Sequence, residues 1–482
     1  MNNNESVLIN GQIEKPKIRP IPIMASLLIG VFIGIFSQTS LNMGLSNIMD
    51  DFHVDASTVQ WLTTGYILTI GVLVPISGVL YQWVTTRNLF IISLCFLMAG
   101  TIIAIFSFNF EFLLFARIIQ AIGTGILLPL MMNVILVLFP THKRGFVMGL
   151  MMLIVMGAPA IAPTIAGLLI EIHNWKGIFW FCIPLLTFSF IFGLIYMQNI
   201  SNLTKPKVDI ISIFFSTIGF GGIVFSFSSL GSIVGTWGKW VFILSLTIGI
   251  LSLVIFSIRQ FKLDAPMMDL RVFKFPMFAL GAAIVFLVMS VNLSVSILMP
   301  MYLKEGLLLP AAIAGLIMLP GGVLNGVTAL VFGRVFDRYG PKYIVRTGFL
   351  ILIIMFFLFT TVKTTTGELT IILIHCCTLI GVALVFNPAQ TNGLNQLPTK
   401  FQTDGTAVMQ TMLHVAGAIG VALAISTMST GQKAYLDNAK GPINIIAQSE
   451  VVAAGINAAF ALSLFLSIIG FIISLFIKRV DV

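Results

Sequence analysis

Fourteen apolar runs of about 20 residues, each separated by a short polar stretch, account for most of the chain. That length lets an α-helix cross the hydrocarbon core of a bilayer. The runs lie at about 21–46, 60–81, 88–108, 111–139, 146–170, 177–198, 210–233, 241–258, 277–298, 311–333, 343–362, 369–392, 407–429 and 456–477. The pattern predicts an all-α polytopic membrane protein with fourteen transmembrane helices. The first run is too long for the apolar core of a cleavable signal peptide.

Composition agrees with this reading. Of 482 residues, 58% are hydrophobic and 9% charged, against about 25% charged in soluble domains. The net charge of +9 could suggest a nucleic-acid partner, but its distribution excludes that need. Only Lys176, Lys239, Lys304, Lys363, Lys433 and Lys440 fall on one side of the alternating loops. Nineteen other cations fall on the opposite side, which also holds both termini. By the positive-inside rule both termini are cytoplasmic, and the charge reports topology. Cys95, Cys182, Cys376 and Cys377 all lie in apolar runs and read as small core residues. No metal-ligand spacing and no cofactor motif appears.

A repeat organises the runs. Gly78, Gln82 and Arg87 after the second run match Gly333, Asp337 and Lys342 after the tenth, at an offset of 255 residues. The same offset maps run one onto run nine and run five onto run thirteen. The expected organisation is a tail at 1–20, a six-helix bundle at 21–198 and a linker with two extra helices at 199–276. A second six-helix bundle at 277–477 and a tail at 478–482 complete it. Parallel repeats of this kind build rocking-bundle transporters, whose site lies between the halves.

Within run four the stretch LFARIIQAIGTG (Leu114–Gly125) carries one charge, Arg117. A central arginine costs about 2.5–3.5 kcal/mol on insertion scales, so it should face a partner or a watery cavity. Gln120 and Thr124, three and seven residues on, share its helix face. Ala116, Ala121, Gly123 and Gly125 are small enough for close helix contact. At about 1.5 Å rise per residue, Gln38 and Asn42 of run one reach the depth of Arg117. Asn292 is the repeat counterpart of Ser37, and Asn325 lies near mid-membrane. These amides, among 41 Phe and 23 Met, suit a pocket that accepts varied amphipathic compounds.

Several motifs, in order along nearly the whole chain, carry a family resemblance. Gly333–Lys342 reads GRVFDRYGPK, a short turn with Asp337, Arg338, Gly340 and Lys342 that can lock two helix ends and release them. Arg117, Gln120 and Gly123 match an RxxQGxG pattern, with Ala121 at its first glycine. Run five contains GAPAIAPTIAG, with Gly157, Pro159, Pro163 and Gly167. DAPMMDLRVFKFPMF precedes run nine, and Leu319-Pro-Gly-Gly322 lies in run ten. The chain resembles the fourteen-helix drug:proton antiporters of the major facilitator superfamily, in the branch of Emr-type and lincomycin-resistance-type exporters. The resemblance implies alternating access, proton exchange, and a fifth helix that seals one face of the cavity. Prolines there also free backbone carbonyls and kink the helix.

The chain departs from that family in run one, where Ser37 stands at the usual acidic position. No Asp or Glu lies clearly inside a run. Candidates for proton coupling are therefore His375 and His414, which titrate near neutrality, Glu171 and Glu305 at helix ends, and Arg117 itself. By the repeat, His375 is the counterpart of Gln120 and should face the central axis. The expected activity is secondary efflux of drug-like compounds from a bacterial cell membrane by a monomer, with small amphipathic molecules, protons and the lipid bilayer as partners. Export of an endogenous lipid, peptide or metabolite is the alternative. A membrane-embedded enzyme or receptor is remote, because the five histidines are dispersed and no nucleotide-binding GxxxxGK[ST] loop exists.

Overall fold

Helix follows helix because each apolar run must bond its own backbone inside the bilayer. The computed structural model describes residues 8–9, 12–13, 20–139, 141–199, 209–229, 235–263, 266–398, 401–438 and 445–480. A two-residue antiparallel pairing, Leu8–Ile9 with Gln12–Ile13, precedes the helices. The first half then runs α1 (Pro20–Ser40), a 3-10 turn (Leu41–Gly44), α2 (Leu45–Phe52), α3 (Ala56–Val59), α4 (Trp61–Trp83), α5 (Thr86–Ile105), α6 (Phe110–Leu138), α7 (Thr141–His173) and α8 (Gly177–Tyr196). α9 (Ile210–Ser229), α10 (Gly235–Lys262) and a 3-10 turn (Leu270–Lys274) follow. The second half is α11 (Pro276–Met301) with a π turn (Tyr302–Gly306), α12 (Ala311–Tyr339), α13 (Pro341–Phe359), α14 (Glu368–Asn395), α15 (Gln402–Asn438) and α16 (Ile445–Ser474).

Counting α1 and α2 as one crossing, the described residues hold fourteen long helices, one for each apolar run. Twelve contain an apolar stretch long enough to span a membrane, and α7 adds a shorter described one, Gly157–His173. Several helices overrun the expected limits. α15 continues to Asn438, where run thirteen was expected to end at 429. Polar turns such as Gln432-Lys433 can remain helical beyond the hydrocarbon, so hydrophobic length underestimates helix length.

Local chemistry sets the ends. The side chains of Asp55, Thr85 and Asn109 accept from the backbone N–H groups of Thr58, Asn88 and Phe112, as N-caps do. Proline opens α11 and α13, where its missing N–H costs nothing. Between α12 and α13, Gly340 takes φ 73°, which a side chain would strain.

The halves repeat one another in their packing. α5 and α6 touch backbone to backbone: a Cβ on Gly123 would stand 2.4 Å from the Ser93 carbonyl oxygen. α13 and α14 do the same, at Gly348 and Gly381. Small residues let membrane helices approach this closely. Two seams join the halves, α7 against α12 and α4 against α15. α9 lies over the second seam in contact with both α4 and α15, and α10 packs mainly on α9. Ile67, Val224 and Ala418, one from each of α4, α9 and α15, form a fully buried cluster there. α10 turns Trp240, Leu244, Ile248 and Leu251 outward, while Arg117, Gln120 and Thr124 are fully buried. Apolar outside and polar inside is the arrangement a lipid solvent favours.

Candidate functional site

Arg117 is fully buried at the meeting of α1, α4 and α6. Its Nη1 donates to Ser37 Oγ at 2.8 Å and to Gln120 Oε1 at 2.9 Å. Its Nε donates to the Leu62 carbonyl at 3.4 Å. The guanidinium lies over the Tyr66 ring, 4.2 Å from the centroid, a cation–π contact that is strongest when water is excluded. Tyr66 in turn donates to the Gly34 carbonyl at 2.9 Å, and its hydroxyl lies 2.7 Å from Thr124 Oγ1. Gln120 Nε2 donates to Thr101 Oγ1 of α5 at 2.8 Å. Nη2 has no hydrogen-bond partner among the described residues. A buried cation is thus held by neutral acceptors and an aromatic face.

The neighbours that depth arithmetic offered to Arg117 require correction. Ser37, one residue before Gln38, accepts its hydrogen bond. Gln38 is 9% exposed. Asn42 points instead to the other half, donating to the carbonyl and hydroxyl oxygens of Ser296 on α11 at 3.1 and 3.2 Å. Its own Oδ1 accepts from Thr63 at 2.8 Å. A helix turns about 100° per residue, so a one-residue register error moves the partner to another face. Asn292 is half-buried on α11. Asn325 ties α12 to the Leu379 carbonyl of α14 at 2.8 Å.

Each candidate for proton coupling has a distinct setting. Glu171 is exposed at the end of α7. His375 is buried against Gly321 of α12, inside its own half, where a Cβ on the glycine would stand 2.6 Å from His375 Cδ2. Gly321 leaves a notch that the imidazole fills. His414 is buried on α15 at the seam between halves, where a Cβ on Gly71 of α4 would stand 3.1 Å from its own Cβ. Glu305 lies in the π turn, where its carboxylate accepts from Ser46 Oγ of α2 in the other half.

Glu305 belongs to an interlock. The neighbouring Lys304 Nζ donates to the Met43 carbonyl at 3.0 Å and to Asn47 Oδ1 at 2.5 Å. Ser57 and Ser429 hydroxyls lie 3.5 Å apart. Along the α7–α12 seam, Thr164 Oγ1 donates to the Gly315 carbonyl at 2.8 Å. Cβ atoms on Gly167, Gly315 and Gly322 would stand 2.2, 2.5 and 2.5 Å from backbone atoms of Ala311, Pro163 and Ala160. All these contacts lie toward the membrane face opposite the termini. Further along the same seam a Cβ on Gly157 or Gly326 would meet no described residue within 4 Å. Among the described residues the seam is in backbone contact toward one face and open around these two glycines toward the face that holds the chain's ends.

Pro159 and Pro163 both lie inside α7, and the Pro163 carbonyl is one of the backbone groups facing Gly315. At the Gly333–Lys342 turn, Gly333 and the Asp337 side chain lie outside the described residues, and the lock expected at Asp337 lies there with them. Its remainder is visible. Gly340 packs against Arg479, whose Nη1 donates to the Arg338 carbonyl at 3.2 Å. Arg338 and Lys342 lie over the rings of Tyr339 and Tyr343.

Sequence reasoning missed Tyr66, Ser46, Asn47, Ser296 and Lys304. Tyr66 carried a weak signal, as a tyrosine in the middle of an apolar run. The others carried none, because their partners lie more than 250 residues away.

Two repeated helical halves that meet along two seams around a buried polar centre define a membrane solute transporter. The chain belongs to the Major Facilitator Superfamily, whose family profile matches residues 27–421. The family is one of transporters, not enzymes. The chain is 52% identical over 461 residues to the lincomycin resistance protein LmrB of Bacillus subtilis (strain 168), covering 96% of each chain. It is 51% identical to LmrB of Listeria innocua serovar 6a, covering 96% of this chain and 98% of that one. Its fold is similar to a solved bacterial homologue of the human lysosomal transporter Spinster in an inward-facing, unoccupied conformation. The TM-score is 0.69 at 12% identity, covering 96% of this chain and 97% of that one.

Proposed function

We propose that this protein exports lincosamide-type antibiotics and other amphipathic drugs from a bacterial cell, in exchange for protons. The halves at 21–198 and 277–477 would rock about the linker at 199–276, with both termini in the cytoplasm. The observation that carries this reading is the one-sided seam. α7 and α12 touch backbone to backbone from Gly167 to Gly322, yet among the described residues Gly157 and Gly326 stay open. A seam closed at one end and parted at the other is one of the two states alternating access requires. The names of the relatives support the substrate class.

Among the proton candidates, Glu305 fits coupling best. Its carboxylate accepts a hydrogen bond across the halves beside Lys304. Protonation would remove the charge that strengthens that bond and would loosen the interlock, opening the outer face. Arg117 would hold α1, α4 and α6 in register during the motion. A second reading, uncoupled or differently coupled export of an endogenous amphiphile, draws on Ser37, which leaves Arg117 without the acid usual in its relatives. Expression in a drug-sensitive host lacking its own exporters tests the substrate class. Raised resistance to lincomycin with lowered cell-associated drug is expected; unchanged resistance at normal membrane abundance would refute it.

A further inference from the structure

A lipid-facing groove lies where the 3-10 turn meets α11, α15 and α16. Its volume is about 360 Å³, and its lining includes Phe273, Ala283, Phe286, Met412 and Ile473. Ala279, Ala282 and Ala283 make the hollow: their spacing puts three small side chains on one stripe of α11, where larger residues would fill it. From Ala279 to Leu287 the groove runs about 12 Å along the helix axis, most of the depth of one leaflet, whose hydrocarbon is about 15 Å thick. Its mouth lies at the membrane face that holds the termini. Lys274 and Arg271, both exposed, flank Phe273 there. Exposed Lys262 ends α10 next to Phe261, whose carbonyl accepts from Arg271 Nη2 at 3.4 Å. Two described acids lie beside these cations: Asp269, 3.8 Å from Arg271 Nε, and Asp404 of α15, whose Oδ1 accepts from the Asp269 N–H at 3.2 Å; three cations against two acids leave the rim positive.

We propose that this groove binds an anionic glycerophospholipid, with one acyl chain along the alanine stripe and the phosphate at Lys274, Arg271 and Lys262. A slot parallel to the membrane normal, apolar along its length and cationic only at the interfacial end, matches that molecule end for end. Basic pockets between transmembrane helices bind anionic headgroups by the same logic. The site is separate from the buried centre at Arg117 and does not depend on which solute is exported. Bound there, the lipid would join the linker turn to α11 and α16 of the second half.

Native mass spectrometry of the full-length protein, titrated with phosphatidylglycerol and with phosphatidylcholine, tests the assignment. The wild type should retain phosphatidylglycerol over phosphatidylcholine by about fivefold per engaged cation. Lys274→Gln should cut that preference by about the same factor while leaving phosphatidylcholine binding unchanged. Ala283→Trp should displace both lipids. Ala279→Phe fills the same groove one turn nearer the interface, so displacement by whichever variant remains monodisperse supports the site. Equal retention of the two lipids by the wild type would overturn the proposal. So would adducts that survive groove filling in a folded variant. Displacement of the lipid by lincomycin or a cationic dye at transport concentrations would also overturn it, marking the groove as a drug path instead.

Discussion

At the residue scale the centre is Arg117, a fully buried cation held by Ser37, Gln120, the Leu62 carbonyl and the Tyr66 ring. Arginine suits this place because its planar fork can bond and stack at once, which an ammonium cannot. Arg117→Lys is expected to keep the charge and lose the fork. One charge-assisted bond is worth about 1.5–3 kcal/mol, so export should fall about tenfold or more. Export assays at matched membrane abundance check this. Gly34→Ala is a second test. Its Cβ would stand 2.7 Å from Thr124 Oγ1, displacing the hydroxyl that meets Tyr66. Export should drop without any change in charge, as drug accumulation in cells would report. The arginine and its face-mate Gln120 were legible in the sequence, since a lone charge in an apolar run must find partners. Ser37 was visible as a departure from the family pattern, but not as a partner, because choosing between Ser37 and Gln38 needs the rotation of α1 about its axis.

At the scale of elements, fourteen apolar runs became fourteen helices because the bilayer leaves a long apolar segment few alternatives. Their pairing was less legible. The glycines of α7 and α12 stood out as a pattern, yet only the folded structure aligns Gly315 with Pro163 and Gly322 with Ala160. Gly322→Val should therefore part the seam. Overpacking costs about 1–3 kcal/mol, enough to shift the population toward the state open at the opposite face. Spin–spin distances between labels at the outer ends of α7 and α12 should lengthen in this variant, and unchanged distances would argue against a glycine-set seam. The linker shows a different chemistry. Burial would raise the Asp209 carboxyl, but hydrogen bonds from Ser212 and Arg259 outweigh it and hold the carboxyl below its ordinary value. A depressed acid stabilises the fold above the ordinary carboxylate range, and that contribution is lost as pH falls through the depressed value. Melting temperatures of the wild type and Asp209→Asn should differ at neutral pH and converge in strong acid.

At the scale of the whole molecule, the two halves are joined by bonds gathered at one face. Asn42 reaches Ser296, Ser46 reaches Glu305, and Asn47 reaches Lys304. The repeat in the sequence announced the halves but not their relative tilt, because nothing in a single chain records which end of a seam is shut. α9 is seated over the α4–α15 seam and touches both halves, so the proposed rocking would strain it first. A disulfide between Ser57→Cys and Ser429→Cys, whose hydroxyls lie 3.5 Å apart across the halves, should lock this face and stop export, and a reductant should restore it. Export persisting in the oxidised form would mean that this face need not open.

In the proposed cycle, solute export is exchanged for protons through that interlock. Everted membrane vesicles carrying a respiration-driven proton gradient test it most directly, with wild-type protein, Glu305→Gln and His414→Gln compared. On addition of lincomycin, the wild type should release protons from the vesicle lumen. Glu305→Gln should lose this release while still binding drug, and His414→Gln should retain it. Drug uptake into wild-type vesicles without proton movement would contradict the claim, and so would proton release by Glu305→Gln at the wild-type rate.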